Sequence, residues 1–427
     1  MRRNFFEMGL LTFFSVLFCV KTSAFEVSSG KTCGTARCGE RVTFSFSGKL
    51  PERTAFLRVR TFINGRCTGN SVVPAAELKP VVLSTDRPGW LAVKAVPLDA
   101  EKKVLKTKLE YGDGVLVEPE KLVPARPAPA DFDKFWQDQL AGLAKIPMSP
   151  QLTEVRLDAA NAQKLRCSEV KLKSMGEIPV TGYLVMPRKA AKRSLPALVC
   201  YHGAGYKSSS KQITFGKNAI VFDVNAHGLP NGRPSEFYRK LNKGPTRGCI
   251  FYDRDDREKS YVKQMFLRAA RATEFIRSLP EWDGRTLIVF GRSQGGAQAL
   301  AAAALVPEVT LCVANVPALG DHGGREAGRL PGWPQLNRKL SGGASEKQIA
   351  SVSDYVDVVN LAKRIKSPVH LTAGAIDFVC APTSVALVRN NIAPELLKSF
   401  RIFQRMGHEA PPVKDDNRKY IFEEFKK

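Results

Sequence analysis

Two kinds of apolar patterning divide the chain. From residue 25 to about 125, apolar and polar positions alternate in short runs. Val42, Phe44 and Phe46 are interleaved with Thr43 and Ser45, and Thr54–Ile63, Trp90–Pro97 and Lys106–Tyr111 read the same way. A period of two gives an extended strand one apolar and one polar face. Gly48, Gly65, Gly69, Pro88, Gly112 and Gly114 punctuate the runs. Strands this short and this spaced predict a small all-β, sandwich-like domain over residues 25–123. Its role is read as accessory, with carbohydrate binding and a structural part both open.

The stretch Pro124–Pro129 is a stiff, proline-rich linker, which puts the boundary at residues 124–130. Asp131 then reads as the N-cap of a helix through about Leu143, with Phe132, Phe135, Trp136 and Leu140 on one side. Cys167–Lys173 and Ile178–Met186 form a strand pair. From about Leu195 short apolar runs alternate with longer helical ones. Strands are predicted at Pro196–Tyr201, Ala219–Val224, Thr286–Phe290, Thr310–Val316, Pro368–Ala373 and Ser399–Gln404. Helices are predicted at Val262–Ser278, Ala297–Leu305, Pro382–Asn391 and from near Lys414. Alternation of this kind means a mostly parallel sheet covered by helices on both faces, an α/β domain over residues 131–427.

Composition changes the picture in three places. Residues 1–24 open with Arg2 and Arg3, continue as an apolar run from Gly9 to Val20, and end in Thr22, Ser23 and Ala24. This is the pattern of a cleaved secretory signal, so a secreted or periplasmic location is expected. No later apolar run is long enough to span a bilayer, so no membrane insertion is expected. Export permits disulfides; Cys33 and Cys38 could close a small loop, with Cys67 a rival partner, whereas Cys200 and Cys312 sit in buried strands. The formal charge is +24, but the basic residues are scattered. No nucleic-acid motif or basic–aromatic array accompanies them, so no nucleic-acid partner is expected.

The sharpest motif is Gly291-Arg292-Ser293-Gln294-Gly295-Gly296. It fits G-x-S-x-G, follows an apolar strand and precedes an Ala-rich helix, the strand–turn–helix setting of a nucleophile elbow. A serine hydroxyl needs a general base. Of the five histidines, three follow Ser293: His322 in a Gly-rich loop, His370 inside a strand, and His408 after the last strand. His408 is the candidate base. Asp377, just past the strand Pro368–Ala373, is the candidate orienting carboxylate, with Asp354 and Asp357 as helical rivals. Oxyanion donors are expected at the Gln294 N–H and in the loop after Tyr201, where Ala204 is the candidate and Gly203 or Gly205 its neighbours. His202 is read as orienting that loop.

Together with Asp131–Trp136, Thr246-Arg247-Gly248, Arg268–Glu274 and His408-Glu409, these residues resemble the acetyl xylan esterase / cephalosporin C deacetylase family from about Ala130 onward. The resemblance implies an α/β-hydrolase fold and a Ser293–His408–Asp377 triad that acts without metal or cofactor. It implies an acetylated oligo- or polysaccharide as substrate, and members that often form large homo-oligomers. The chain departs from the family twice. Asn225-Ala226-His227 stands where members carry Arg-Gly-Gln, and Ala204 stands where Tyr is frequent, leaving Tyr206 to supply the aromatic wall. Trp333, in the irregular stretch Pro317–Ala350, is a candidate sugar-stacking residue, with packing under the loop as the alternative.

Other classes stay open on the residues alone. A serine peptidase of the oligopeptidase type shares the triad order, although the front region is too short for a propeller. A feruloyl or uronate ester hydrolase and a non-catalytic glycan-binding protein are further alternatives. Metal-dependent hydrolysis lacks an HExxH spacing.

Overall fold

The computed structural model describes residues 24–105, 110–244, 247–338, 345–409 and 418–426. The signal segment, apart from Ala24, lies outside these residues, as do most of the predicted strand from Lys106 and the predicted start of the last helix. No helix among the described residues is long and apolar enough to cross a membrane.

Eight strands build the front region: β1 (Glu26–Ser28), β2 (Thr35–Ala36), β3 (Val42–Ser47), β4 (Phe56–Ile63), β5 (Arg66–Pro74), β6 (Val81–Leu83), β7 (Gly89–Leu98) and β8 (Tyr111–Val117). They form two sheets, ordered β1-β3-β6 and β2-β8-β7-β4-β5. Phe44, Leu57, Val59, Leu91, Val93 and Val115 fill the core between them. Alternation does not describe β7, however. Leu91 and Val93 face that core, while Trp90 and Ala92 join the core of the second domain together with Phe62 and Leu116. The centre of the five-stranded sheet, β7 and β8, is therefore buried on both sides, and the front region shares a core with the α/β domain.

Gly112 and Gly114, expected as punctuation, lie inside β8. A Cβ at Gly114 would sit 1.9 Å from the Ala375 carbonyl oxygen, and one at Gly112 would sit 3.1 Å from Ile376 Cδ1. These glycines leave room for a loop of the second domain. The linker is likewise fastened, through Arg126 paired with Asp354 and Glu326. The eight cysteines among the described residues are all free thiols, so the Cys33–Cys38 loop is not closed; burial, together with neighbouring Glu118, raises the Cys38 pKa instead.

The second domain is a nine-stranded sheet with strands β9 (Gln151–Glu154), β10 (Leu165–Leu172), β11 (Val180–Pro187), β12 (Leu195–Tyr201), β13 (Ile220–Asn225), β14 (Trp282–Arg292), β15 (Leu311–Asn315), β16 (Val369–Gly374) and β17 (Leu397–Phe403). Their spatial order is β17-β16-β15-β14-β12-β13-β11-β10-β9. β12 to β17 run parallel, and β9 to β11 add an antiparallel edge. Period two shows in the packing: Ala197, Val199 and Tyr201 face the helices Tyr261–Arg277 and Gln294–Leu305. Leu198 and Cys200 face the opposite side, where Ile421, Phe422 and Phe425 of the C-terminal segment cover them. Chain order reverses at β12, between β13 and β14, and the crevice beyond such a switch point is where open α/β sheets place their sites.

Two local expectations change. The helix Phe132–Ala144 begins after Asp131, but that side chain makes no cap; it accepts from Tyr355 and from Arg257 instead. The stretch from Pro317 is not irregular throughout, because the helix Glu346–Ser353 starts within its far end. The irregular part is tied down by a buried Arg329–Asp321 pair at 2.7 and 2.9 Å.

Candidate active site

The elbow arises from two close approaches. A Cβ at Gly291 would lie 2.1 Å from the Gly295 carbonyl oxygen, and one at Gly295 would lie 2.0 Å from that of Tyr201. Only glycine lets strand, turn and helix approach this closely. Ser293, between them, is forced to φ 59°, ψ −125°, a conformation that costs a non-glycine residue about 1–3 kcal/mol. Hydrogen bonds hold it there. Its N–H donates to Asn315 at 2.9 Å, and its carbonyl accepts from Ala297 and Ala318, both at 3.1 Å.

The Ser293 hydroxyl meets His408 Nε2 at 2.9 Å, and His408 Nδ1 meets the Asp377 Oδ2 at 2.8 Å. Three residues from three separate loops thus form one hydrogen-bonded path. Asp377 is fully buried, and its other oxygen accepts from the N–H groups of Val379 and Cys380 at 2.8 and 2.9 Å. A carboxylate so held fixes the proton on Nδ1 and leaves Nε2 to accept from serine. The His408 loop is pinned by Arg292, which donates to the His408 carbonyl at 2.9 Å, and by Glu409, which accepts the Gly407 N–H at 3.0 Å. Cys380 lies beneath the hydroxyl, and burial pushes its thiol well above its ordinary range.

The rival groups are placed elsewhere. Asp357 caps the helix Val358–Ala362 and accepts the N–H groups of Asp321 and His322. Asp354 pairs with Arg126. His322 is buried away from water, and His370 bonds Ser399 at 2.7 Å while stacking on Tyr420. Among the described residues, one set of His, Cys and acidic groups falls within mutual reach of a metal ion: Asp377, Cys380 and His408, within 4.8 Å. The carboxylate oxygens and imidazole nitrogens of that set are already engaged in the bonds above.

The Gln294 N–H opens its helix and so has no acceptor within it. Ala204 is exposed in the loop after β12, and Gly203 lies against the elbow, a Cβ there being 3.4 Å from the Arg292 carbonyl. His202 braces that loop. Its Nδ1 bonds the Gly203 carbonyl at 2.7 Å and its Nε2 accepts the Ala226 N–H at 3.2 Å. Burial lowers its pKa to about 4, so it is neutral.

Beside these donors opens a cleft of roughly 210 Å³, lined by Ala204, Tyr206, His227, Phe251, Gln294 and Trp333 among others. Both candidate substrate contacts are therefore in its wall. Trp333 is half-buried there, with its backbone bonded to Leu319 and Val379. The Tyr206 ring meets His227 edge-on at 4.7 Å.

The feature least visible in the sequence is chemical. His227 Nδ1 is engaged by the Tyr261 hydroxyl at 2.5 Å, but His227 Nε2 and Gln294 Nε2 are buried with no partner among the described residues. Burial, helped by neighbouring His202, Arg268 and Lys207, lowers the His227 pKa to about 3. Asn225, at the first position of the same departure, is fully employed: it donates to the Lys207 carbonyl and accepts from the N–H groups of His227 and Leu229. It organises the loop that presents His227.

The chain is also similar to proteins already known. A family model described as acetyl xylan esterase (AXE1) matches residues 113–425. The acetyl esterase Axe7A of Xylanibacter ruminicola is 36% identical over 291 residues, covering 67% of this chain but only 65% of that relative's own length, just under two thirds. The solved acetyl xylan esterase from Paenibacillus sp. R4 is 25% identical, with TM-score 0.60, covering 72% of this chain and 98% of that one. Acetyl xylan esterase 1 from a Thermoanaerobacterium species is 23% identical, with TM-score 0.59 over 72% and 97% of the two chains, a likeness of fold. Residues 24–112 of the front region fall outside the family match.

Proposed function

The chain belongs to the acetyl xylan esterase family, and from that premise we propose that it is an exported serine esterase that removes acetyl groups from acetylated oligo- or polysaccharides. The observation that carries the reading is the unbroken hydrogen-bond path from the Ser293 hydroxyl through His408 to Asp377. Ser293 attacks the ester carbonyl as His408 Nε2 takes its proton. Charge on the tetrahedral oxygen falls to the N–H groups of Gln294 and Ala204, at a helix N-terminus that favours it. The imidazolium, stabilised by Asp377, returns the proton to the departing sugar oxygen. Water activated by the same imidazole then releases acetate.

The acyl group is assigned from the activities for which the relatives are named, since the triad itself requires only an ester. The cleft supports a hydroxylated substrate: His227 and Gln294, each with a side-chain nitrogen that has no partner among the described residues, share its wall with Tyr206 and Trp333, a lining that suits a sugar better than an aliphatic chain. Export rests on the pattern of residues 1–24 alone. The test is acetate release from a panel of acetylated xylo-oligosaccharides and monosaccharides, by wild type and by Ser293→Ala. Release by wild type and its loss in the variant are expected. Turnover retained without the hydroxyl, or release of only bulkier acids from matched esters, would overturn the reading.

A further inference from the structure

We propose that the front β region is a working part of the catalytic machinery, and that Trp90 is a positioning residue that acts on Asp377 through the Ala375 carbonyl. Trp90 is fully buried, and its Nε1–H donates to the Ala375 carbonyl at 2.6 Å, two residues before Asp377. On the other side of the aspartate, the Phe378 ring is gripped by Trp90 at 4.6 Å and Phe62 at 4.5 Å, with Lys94 Nζ 4.5 Å from its centroid. Both flanks of the carboxylate are therefore anchored in β4 and β7.

The same region reaches the loop of the base. Gly114 N–H donates to the Gln404 carbonyl at 3.1 Å, and Gln404 Nε2 donates to Ser29 Oγ at 3.1 Å. Ser29 is held in turn by the buried Asp113, which accepts from its N–H and its hydroxyl. A third tie runs from the Leu330 N–H to the Asn64 carbonyl at 2.9 Å, on the irregular stretch that carries Trp333. The strand β8 is stripped to glycine where Ala375 and Ile376 press on it, a sequence feature that makes sense only if that approach must be close. A triad displaced by about 1 Å loses on the order of 10²-fold in rate, so an anchor two residues from the carboxylate bears on turnover as well as on stability.

The proposal rests on the Ser293–His408–Asp377 reading, and Trp90→Phe in the full chain tests it. The variant keeps an aromatic ring against Phe378 and loses the indole donor. Expected are a roughly tenfold lower kcat per titrated active site and an unchanged KM for a small aryl acetate. A lower melting temperature with wild-type kcat and KM would make the contact merely structural and overturn the proposal. If Trp90→Phe does not accumulate, Phe378→Leu on the half-buried partner ring carries the same readouts with a smaller, few-fold loss. Ser293→Ala separates the layers: activity surviving there removes the triad reading itself, whereas an inactive Ser293→Ala beside an unaffected Trp90→Phe removes only the anchor.

Discussion

The two sides of the Ser293 hydroxyl are built to different tolerances. On the acid–base side, both Asp377 oxygens are bonded, the His408 loop is pinned by Arg292, and Trp90, Gly114 and Gln404 tie both loops to the front region. On the cleft side Ala204 and Gly205 are exposed, and two buried nitrogens lack partners among the described residues. Both departures from the family pattern, Ala204 and Asn225-Ala226-His227, fall on this open side. Saturated hydrogen bonding fixes a proton path; polar atoms left unsatisfied in a cleft are what a ligand completes. The comparison predicts that changes on the first side reduce turnover and changes on the second redistribute affinity.

Asp377→Asn should have the largest effect in this pair of regions. The amide oxygen would keep the bonds from Val379 and Cys380, which turns its NH₂ toward His408 Nδ1. The ring must then carry its proton on Nε2, where it can no longer accept from serine. A loss of kcat of about 10⁴-fold with KM within a few-fold is expected, on the analogy of a serine protease triad. Steady-state kinetics on an aryl acetate measure it, and a comparable rise in KM would blur the division between the two sides.

Gly114→Val should come next. Its Cβ would be 1.9 Å from a backbone oxygen, so no side-chain rotation relieves the contact, and the Ala375–Phe378 turn or β8 has to move. Overpacking of this kind costs about 1–3 kcal/mol or more. Thermal unfolding should report the loss and kcat should fall with it. Wild-type values for both would mean that the front region sits less closely on the acid loop than its glycines indicate.

The sequence disclosed these two sides unequally. The elbow was legible because Gly291 and Gly295 flank a serine between a strand and a helix, and the acid and base followed from the next strand ends. The six parallel strands of the α/β domain are legible to within a few residues, since buried parallel strands read as continuous apolar runs, whereas the fully exposed edge strand β9 is not among the predicted ones. The front region was legible as β-structure, but its docking was not. Alternate glycines in β8 and the unbroken apolar run Trp90-Leu91-Ala92-Val93 were the available signals; one reads as turns and the other as an ordinary strand until the partner surface is known. The cleft was the least legible part. Its wall is assembled from several separate segments between Ala204 and Trp333, and an unpartnered nitrogen is a property of the assembled site, invisible in any one segment.

The smallest expected effect probes that cleft. His227→Phe keeps a ring against Tyr206 and removes both nitrogens. If His227 Nε2 meets a substrate hydroxyl, KM for acetylated sugars should rise about three- to tenfold, in keeping with one lost hydrogen bond. KM for an aryl acetate and kcat for both should change little. Equal shifts for both substrates would assign His227 to loop packing. A second measurement on the same variant works out the proton balance. The groups around the ring are Tyr206, Tyr261, Cys249, His202, Lys207 and Arg268. None supplies a negative charge near neutral pH, so the folded protein keeps His227 neutral down to about pH 3, whereas an unfolded histidine takes up its proton near its ordinary 6.5. Between these values the unfolded state binds the extra proton, and stability falls as pH falls, by at most about 1.4 kcal/mol per pH unit for this group. Phenylalanine cannot contribute to that slope. Denaturant unfolding at pH 7 and pH 4.5 should therefore show a smaller loss on acidification in the variant than in the wild type. An identical loss would mean that the ring gains water, and its proton, before the fold opens.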